Sequence, residues 1–214
     1  MRCETRLVLA LDETAPRRAL EVVNEVCDHI DAVKVNWPLI LSAGPEIITR
    51  LSVMSDVICD FKIADIPNTD RLIVERSMEL GASAVIVHGF TGEDSLRACV
   101  DAASSGEVYV VTEMSHPGGE MFTSLHAEEI AFMARQCGAH GIIAPATRPE
   151  RLSVMRSKVG DGMKILSPGV GAQGGSASAA IKAGADYVIV GRSIYQAANP
   201  ANEAKAIREE IGAL

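Results

Sequence analysis

The 214-residue sequence predicts a closed (β/α)8 barrel on three observations: eight short β-branched runs, amphipathic stretches between them, and a glycine turn that recurs before several runs. The runs occupy residues 6–11, 32–36, 57–61, 84–88, 107–112, 141–144, 163–167 and 187–190. Each is short and almost continuously apolar, the pattern of a parallel strand covered on both faces. The stretches between them, such as 15–29 and 124–136, carry apolar residues at three- and four-residue spacing among charged ones, as amphipathic helices do. The glycine turn appears as Gly81-Ala82-Ser83-Ala84-Val85-Ile86-Val87, Gly138-Ala139-His140-Gly141-Ile142-Ile143 and Gly184-Ala185-Asp186-Tyr187-Val188-Ile189-Val190. In each, the glycine can end a helix in the left-handed conformation before a strand begins. An open doubly wound sheet has the same alternation, but the count of eight without a ninth favours the barrel.

Composition narrows the function classes. A hydrophobic fraction of 48% and a charged fraction of 22% are those of an ordinary globular protein, and no linker or charge block divides residues 1–214, which read as one catalytic domain. The net charge of −8 disfavours nucleic acid and anionic membranes as partners, so any phosphate site must be locally positive. The first apolar stretch, Leu7 to Leu11, is too short for a signal-peptide core, and no run reaches the ~18 apolar residues of a membrane span. A cytoplasmic location is expected. The five cysteines, Cys3, Cys27, Cys59, Cys99 and Cys137, are scattered without a C-x-x-C pair, and read as buried small apolar residues.

In a barrel, chemistry belongs to the loops that follow the strands. Charges gather there: Asp12 after the first, Lys34 on the second, Asp60-Phe61-Lys62-Ile63-Ala64-Asp65 at the third, and Thr112-Glu113-Met114-Ser115-His116-Pro117 at the fifth. Alternation along a strand places Asp60 and Lys62 on one face and Phe61 on the other. The plain alternative is a structural ion pair plugging the barrel; the cost of burying charge weighs towards a working site. Asp12 alone would be no more than a helix cap.

Two later segments suggest a phosphate grip. Ser167-Pro168-Gly169-Val170-Gly171-Ala172-Gln173-Gly174-Gly175 follows the seventh strand and Gly191-Arg192-Ser193 the eighth, where barrels commonly bind phosphate. The first contains G-x-G-x-x-G, but a dinucleotide site needs that motif early and an acid about 20 residues on, where Gly191 stands instead. A purely structural glycine turn is the other reading. His88 and His116 have no H-x-x-H or H-E-x-x-H partner, which disfavours zinc. Trp37 and Arg148 also lie just beyond strands, where packing and surface pairing are the common fates.

Taken in order, Leu9-Ala10-Leu11-Asp12, Val33-Lys34-Val35, Asp60-Phe61-Lys62-Ile63-Ala64-Asp65-Ile66-Pro67-Asn68-Thr69, Glu113-Met114-Ser115-His116-Pro117-Gly118, the 167–175 segment and Val190-Gly191-Arg192-Ser193 resemble the orotidine 5′-monophosphate decarboxylase family in its compact archaeal and bacterial forms. The resemblance spans nearly the whole chain. It implies a TIM barrel acting without metal or organic cofactor, as a homodimer with shared active sites. It further implies that Lys34, Asp60, Lys62 and Asp65 form an alternating charge network in which Lys62 donates a proton. Asp65 and Thr69 would reach into the second subunit's site, with Ile66 of the same motif in the substrate-binding set. Asp12 would hold ribose and Ser115 the pyrimidine, while Gln173, Gly191 and Arg192 would bind phosphate beside Pro168. A magnesium-dependent sugar-phosphate decarboxylase or aldolase of the same superfamily shares a D-x-K-x-x-D strand, but uses a carboxylate after strand two where this chain has Lys34. A nucleotide-binding protein without catalysis is opposed by the intact Asp60, Lys62 and Asp65 set.

Overall fold

A computed structural model of the protein describes residue 1 and residues 3–213. Eight parallel strands pair in chain order and close on themselves: β1 (Leu7–Leu11), β2 (Ala32–Val35), β3 (Asp56–Ile63), β4 (Ala84–His88), β5 (Glu107–Val111), β6 (Gly141–Ile143), β7 (Lys164–Pro168) and β8 (Tyr187–Val190). The closure excludes the open doubly wound sheet. The surrounding helices are α1 (Pro16–Val26), α2 (Trp37–Ala43), α3 (Ile47–Ser52), α4 (Pro67–Glu79), α5 (Glu93–Ala102), α6 (Thr123–Gln136), α7 (Pro149–Val159), α8 (Ala177–Lys182), α9 (Arg192–Tyr195) and α10 (Pro200–Gly212). No helix among the described residues is long and apolar enough to cross a membrane.

Local chemistry fixes where helices begin and end. Pro16, Pro38, Pro67, Pro149 and Pro200 stand in first turns, where a missing N–H costs nothing and the fixed φ suits the helix. Gly81, Gly138 and Gly184 have φ of 97°, 79° and 109°, so the recurring turn is left-handed as its glycines suggest.

The strands are apolar throughout because they separate two cores. Val8, Ala10, Ile58, Ile86, Tyr109 and Leu166 pack inside the barrel, whereas Leu7, Leu9, Val33, Val57 and Val85 face the helices. Cys59, Cys99 and Cys137 are buried, and burial pushes the Cys59 and Cys99 thiols up to about 12, leaving them neutral. The expectation for the other two cysteines fails. Cys3 is exposed ahead of β1, and Cys27 is only half-buried in the 3-10 turn that ends α1.

The end where strands begin is closed by polar groups. Glu107 of β5 accepts hydrogen bonds from Lys164 Nζ of β7 at 2.7 Å, from the Met1 amino group at 2.9 Å, and from the Tyr109 hydroxyl. Burial acts to raise the Glu107 carboxyl, but these donors outweigh it and hold the group at about 2. The folded value lies below the ordinary carboxylate value, so this contribution is present above about pH 4.5 and is lost as pH falls towards 2. Glu107→Gln should lower stability at neutral pH by about 2 kcal/mol and flatten its fall between those limits. Urea titrations at several pH values measure this, and parallel profiles for the two proteins would contradict it.

Candidate active site

The opposite end of the barrel carries the charges. The register of β3 against β4 shifts between Cys59 and Ile63, and Lys62 adopts φ 48°, a left-handed conformation costing a non-glycine residue roughly 1–3 kcal/mol. Asp60 and Lys62 both line the cavity on one side of the strand. Asp60 Oδ1 accepts from Lys62 Nζ at 2.8 Å, and Asp60 Oδ2 lies 2.7 Å from Lys34 Nζ. Phe61 faces the other way and stacks on Trp37 at 4.6 Å, with Trp37 Nε1 donating to the Phe61 carbonyl. Trp37 is therefore a packing residue.

Burial decides how this cluster behaves. The Lys34 and Asp60 side chains are each only 7% exposed, whereas Lys62 is 33% exposed and turned to the opening. Burial would raise the Asp60 carboxyl, yet the Lys34 and Lys62 ammonium groups hold it below the usual carboxylate range. His88, at the end of β4, shifts downward through burial and the nearby Lys62 charge and is therefore neutral near pH 7.

A cavity above these residues brings together Asp12, Lys34, Asp60, Lys62, Ser115, Pro168, Gln173, Gly191 and Arg192, each expected in the site. Its apolar floor is the top of the inner core, Ala10, Ile86, Val111, Ile143 and Ile189. At the far side the two glycine-bearing segments meet: a Cβ on Gly171 would stand 2.5 Å from Ser193 Oγ, so the loop after β7 rests on the turn after β8. Arg192, at the start of α9, is exposed and has no carboxylate partner among the described residues, leaving its guanidinium to the cavity.

Asp65, Ile66 and Thr69 do not line that cavity. Asp65 is exposed, its carboxylate accepts from the Ile66 N–H at 2.7 Å, and its own N–H donates to Asp70 Oδ1 at 2.9 Å. Ile66 is 65% exposed, and Thr69 borders a separate groove beside Trp37 and Phe61. The segment thus lies outside the lining of the chain's own cavity.

Two polar residues of the cavity lining, Glu113 and Asn36, had no predicted role. Glu113, fully buried, meets Arg148 Nε at 2.8 Å and Arg151 Nε at 3.3 Å, while Arg148 Nη2 donates to the Met114 carbonyl at 2.6 Å. These bonds brace the chain leading to Ser115, and Arg148 is thereby a pairing residue. Asn36 is the other. Glu113 was visible as an acid at a strand end; its partners lie 35 and 38 positions on, beyond the reach of local spacing.

Fold and site together define a class: a (β/α)8-barrel enzyme with a charged centre on the C-terminal face and a glycine-rich cradle after the last two strands. The chain belongs to the orotidine 5′-phosphate decarboxylase / HUMPS family, whose model matches residues 5–207. It is 54% identical over 99% of both chains to the orotidine 5′-phosphate decarboxylase of Methanococcoides burtonii, and 55% identical to that of Methanosarcina mazei over 100% of this chain and 98% of the relative. The crystal structure of the Pyrococcus horikoshii enzyme superposes with a TM-score of 0.91 at 48% identity, covering 97% of this chain and all of the other. The Methanocaldococcus jannaschii enzyme, solved with the inhibitor BMP, gives 0.91 at 44% identity over 96% and 97% of the two chains.

Removing Asp60 would leave Lys34 and Lys62 facing one another without their shared counter-ion. Asp60→Ala should cost on the order of 3 kcal/mol, and Lys34→Met added to it should restore part of that loss. Chemical denaturation of the two single variants and the double variant checks this. Additive losses would show that the three charges are not coupled.

Proposed function

We propose that the protein is a cytoplasmic homodimeric enzyme, one catalytic domain per chain, that decarboxylates orotidine 5′-monophosphate to uridine 5′-monophosphate in pyrimidine biosynthesis. The observation that carries this reading is the Lys34–Asp60–Lys62 chain of alternating charge at the mouth of a cavity that runs on to Gln173 and Arg192. Such a cavity suits a ligand with a reacting group at one end and a phosphate at the other.

The chemistry follows from the charges. Breaking the bond between carbon 6 and the carboxylate leaves an electron pair in the ring plane, outside the π system, so the charge must be met by the protein. A unit charge ~4 Å from an ammonium, at an effective dielectric of ~20, interacts by about 4 kcal/mol. Lys62, the more open of the two lysines, supplies that charge and then its proton; carbon dioxide departs and solvent reprotonates the amine. Asp60 lies beside the substrate carboxylate and repels it, an effect that fades as carbon dioxide forms. Asp12 holds the ribose, Ser115 the pyrimidine, and Gln173, Gly191 and Arg192 the phosphate, with Pro168 beside them. Phosphate binding, remote from the breaking bond, is best used to close the 167–175 loop and order the charges.

Asp65, Ile66 and Thr69 serve the site of the second subunit. Their position outside their own cavity supports this, and two-fold symmetry would give each dimer two composite sites. The magnesium-dependent sugar-phosphate reading is opposed by Lys34, whose ammonium takes the place of a metal-binding carboxylate and already engages Asp60 at 2.7 Å.

Purified protein should deplete the orotate absorbance of orotidine 5′-monophosphate equally with and without EDTA, and Lys62→Ala should lower kcat by at least about 10²-fold. Activity that vanishes with EDTA and returns with magnesium would favour the rival. Lys62→Ala and Asp65→Ala homodimers should each be nearly inactive, whereas mixed dimers should recover up to about half of the wild-type sites, since one site keeps both residues. Mixed dimers as inactive as their parents would refute the action of Asp65 across the interface.

A further inference from the structure

Asn36 stands at the rim of the cavity with an unused pair of donors. The register of β1, β2 and β3 runs Leu11, Val35, Cys59 across the barrel, so one step further places Asp12, Asn36 and Asp60 side by side. Inward and outward positions alternate. Ala10 and Ile58 point inward, and Lys34 between them lines the cavity, so the next inward level is that of Asp12, Asn36 and Asp60. All three line the cavity.

The orientation of the amide is set by one bond. Asn36 Oδ1 accepts from the Trp37 N–H at 2.7 Å as the N-cap of α2. With the oxygen so engaged, Nδ2 points its two donors elsewhere, and no described residue accepts them. Its neighbours at that level, Asp12 and Asp60, are carboxylates; Asp60 is already shared by two lysines.

We infer that Asn36 is a specificity-determining residue whose Nδ2 donates to a ribose hydroxyl of the bound nucleotide. A hydroxyl offers one proton and two lone pairs. Asp12 accepts a hydrogen bond from the vicinal diol but can donate nothing back. Asn36 supplies the missing donor at the same level, and as a neutral group it does so without disturbing the balance of the Lys34–Asp60–Lys62 chain. The inference rests on the decarboxylase reading for the identity of the ligand as a ribonucleotide.

Asn36→Ser is the informative variant, because a serine oxygen can still cap α2 while the amide donors are gone. Its melting temperature should match that of the wild type. Its kcat/KM on orotidine 5′-monophosphate should fall about five- to tenfold, the usual effect of one neutral hydrogen bond. On whichever of the 2′-deoxy and 3′-deoxy analogues lacks the contacted hydroxyl, variant and wild type should agree within about twofold. A loss of equal size on all three compounds, or on none, overturns the inference. Calorimetric binding of uridine 5′-monophosphate and its deoxy analogues reads the same contact without turnover. A wild type that shows the Asn36-dependent hydroxyl preference in binding but leaves orotidine 5′-monophosphate intact would uphold the inference and remove the decarboxylase reading.

Discussion

A single carboxylate holds two ammonium groups at the mouth of the barrel. Asp60 is buried, and its charge is tolerable only because Lys34 and Lys62 approach its two oxygens at 2.7 and 2.8 Å. Reciprocally, Lys34 is buried as deeply and has no other carboxylate partner among the described residues. The three form one electrostatic unit, and its order fixes the direction of the site: the sealed charge lies at the strand-two side and the open ammonium of Lys62 turns to the cavity. A centre so arranged presents fixed charge to a substrate without rearranging when charge develops, which is where electrostatic catalysis draws its strength.

The barrel keeps this costly end apart from a stabilising one. Glu107, Lys164 and Tyr109 satisfy each other where the strands begin, while Asp60, Lys34 and Lys62 meet where they end. Between them lies the apolar inner core, whose uppermost side chains also form the cavity floor. The overall charge of −8 makes the exposed, carboxylate-free Arg192 more telling, because it provides a positive spot in an acidic protein.

Much of the strand layout was legible, because a barrel strand is buried on both faces and its apolar run is continuous. The ends of β4 and β8 agree with the sequence reading, and β3 runs on to Ile63 only because the chain continues pairing beyond its irregularity. The cavity residues Lys34, Asp60, Lys62 and Arg192 were legible by their position at strand ends, whereas Asp12, Ser115 and Gln173 drew their roles from the family resemblance. Glu113 with Arg148 and Arg151, and the cap made by Asn36, were not, since each depends on three-dimensional proximity or on the direction of one amide. The cysteine reading failed for Cys3 and Cys27 because residue type biases burial but only the local face decides it.

The irregularity at Lys62 links the inner site with the surface beyond it. The left-handed turn at Lys62 accompanies a side chain held inward against Asp60, and after one further paired residue, Ile63, the backbone leaves the barrel. The chain that emerges is then pinned: Asp70 accepts the Asp65 N–H, Ser95 donates to the Asp65 carbonyl, and the Asp65 carboxylate caps the next residue. Asp65 is therefore exposed but held in place, with its charge directed outward from a braced turn. Backbone strain at one lysine accounts for two features together, an ammonium fixed at the cavity mouth and a carboxylate carried on a fixed external loop. A regular strand would also turn residues three apart to opposite faces, but it would leave Asp65 paired in the sheet and not carried on an external loop.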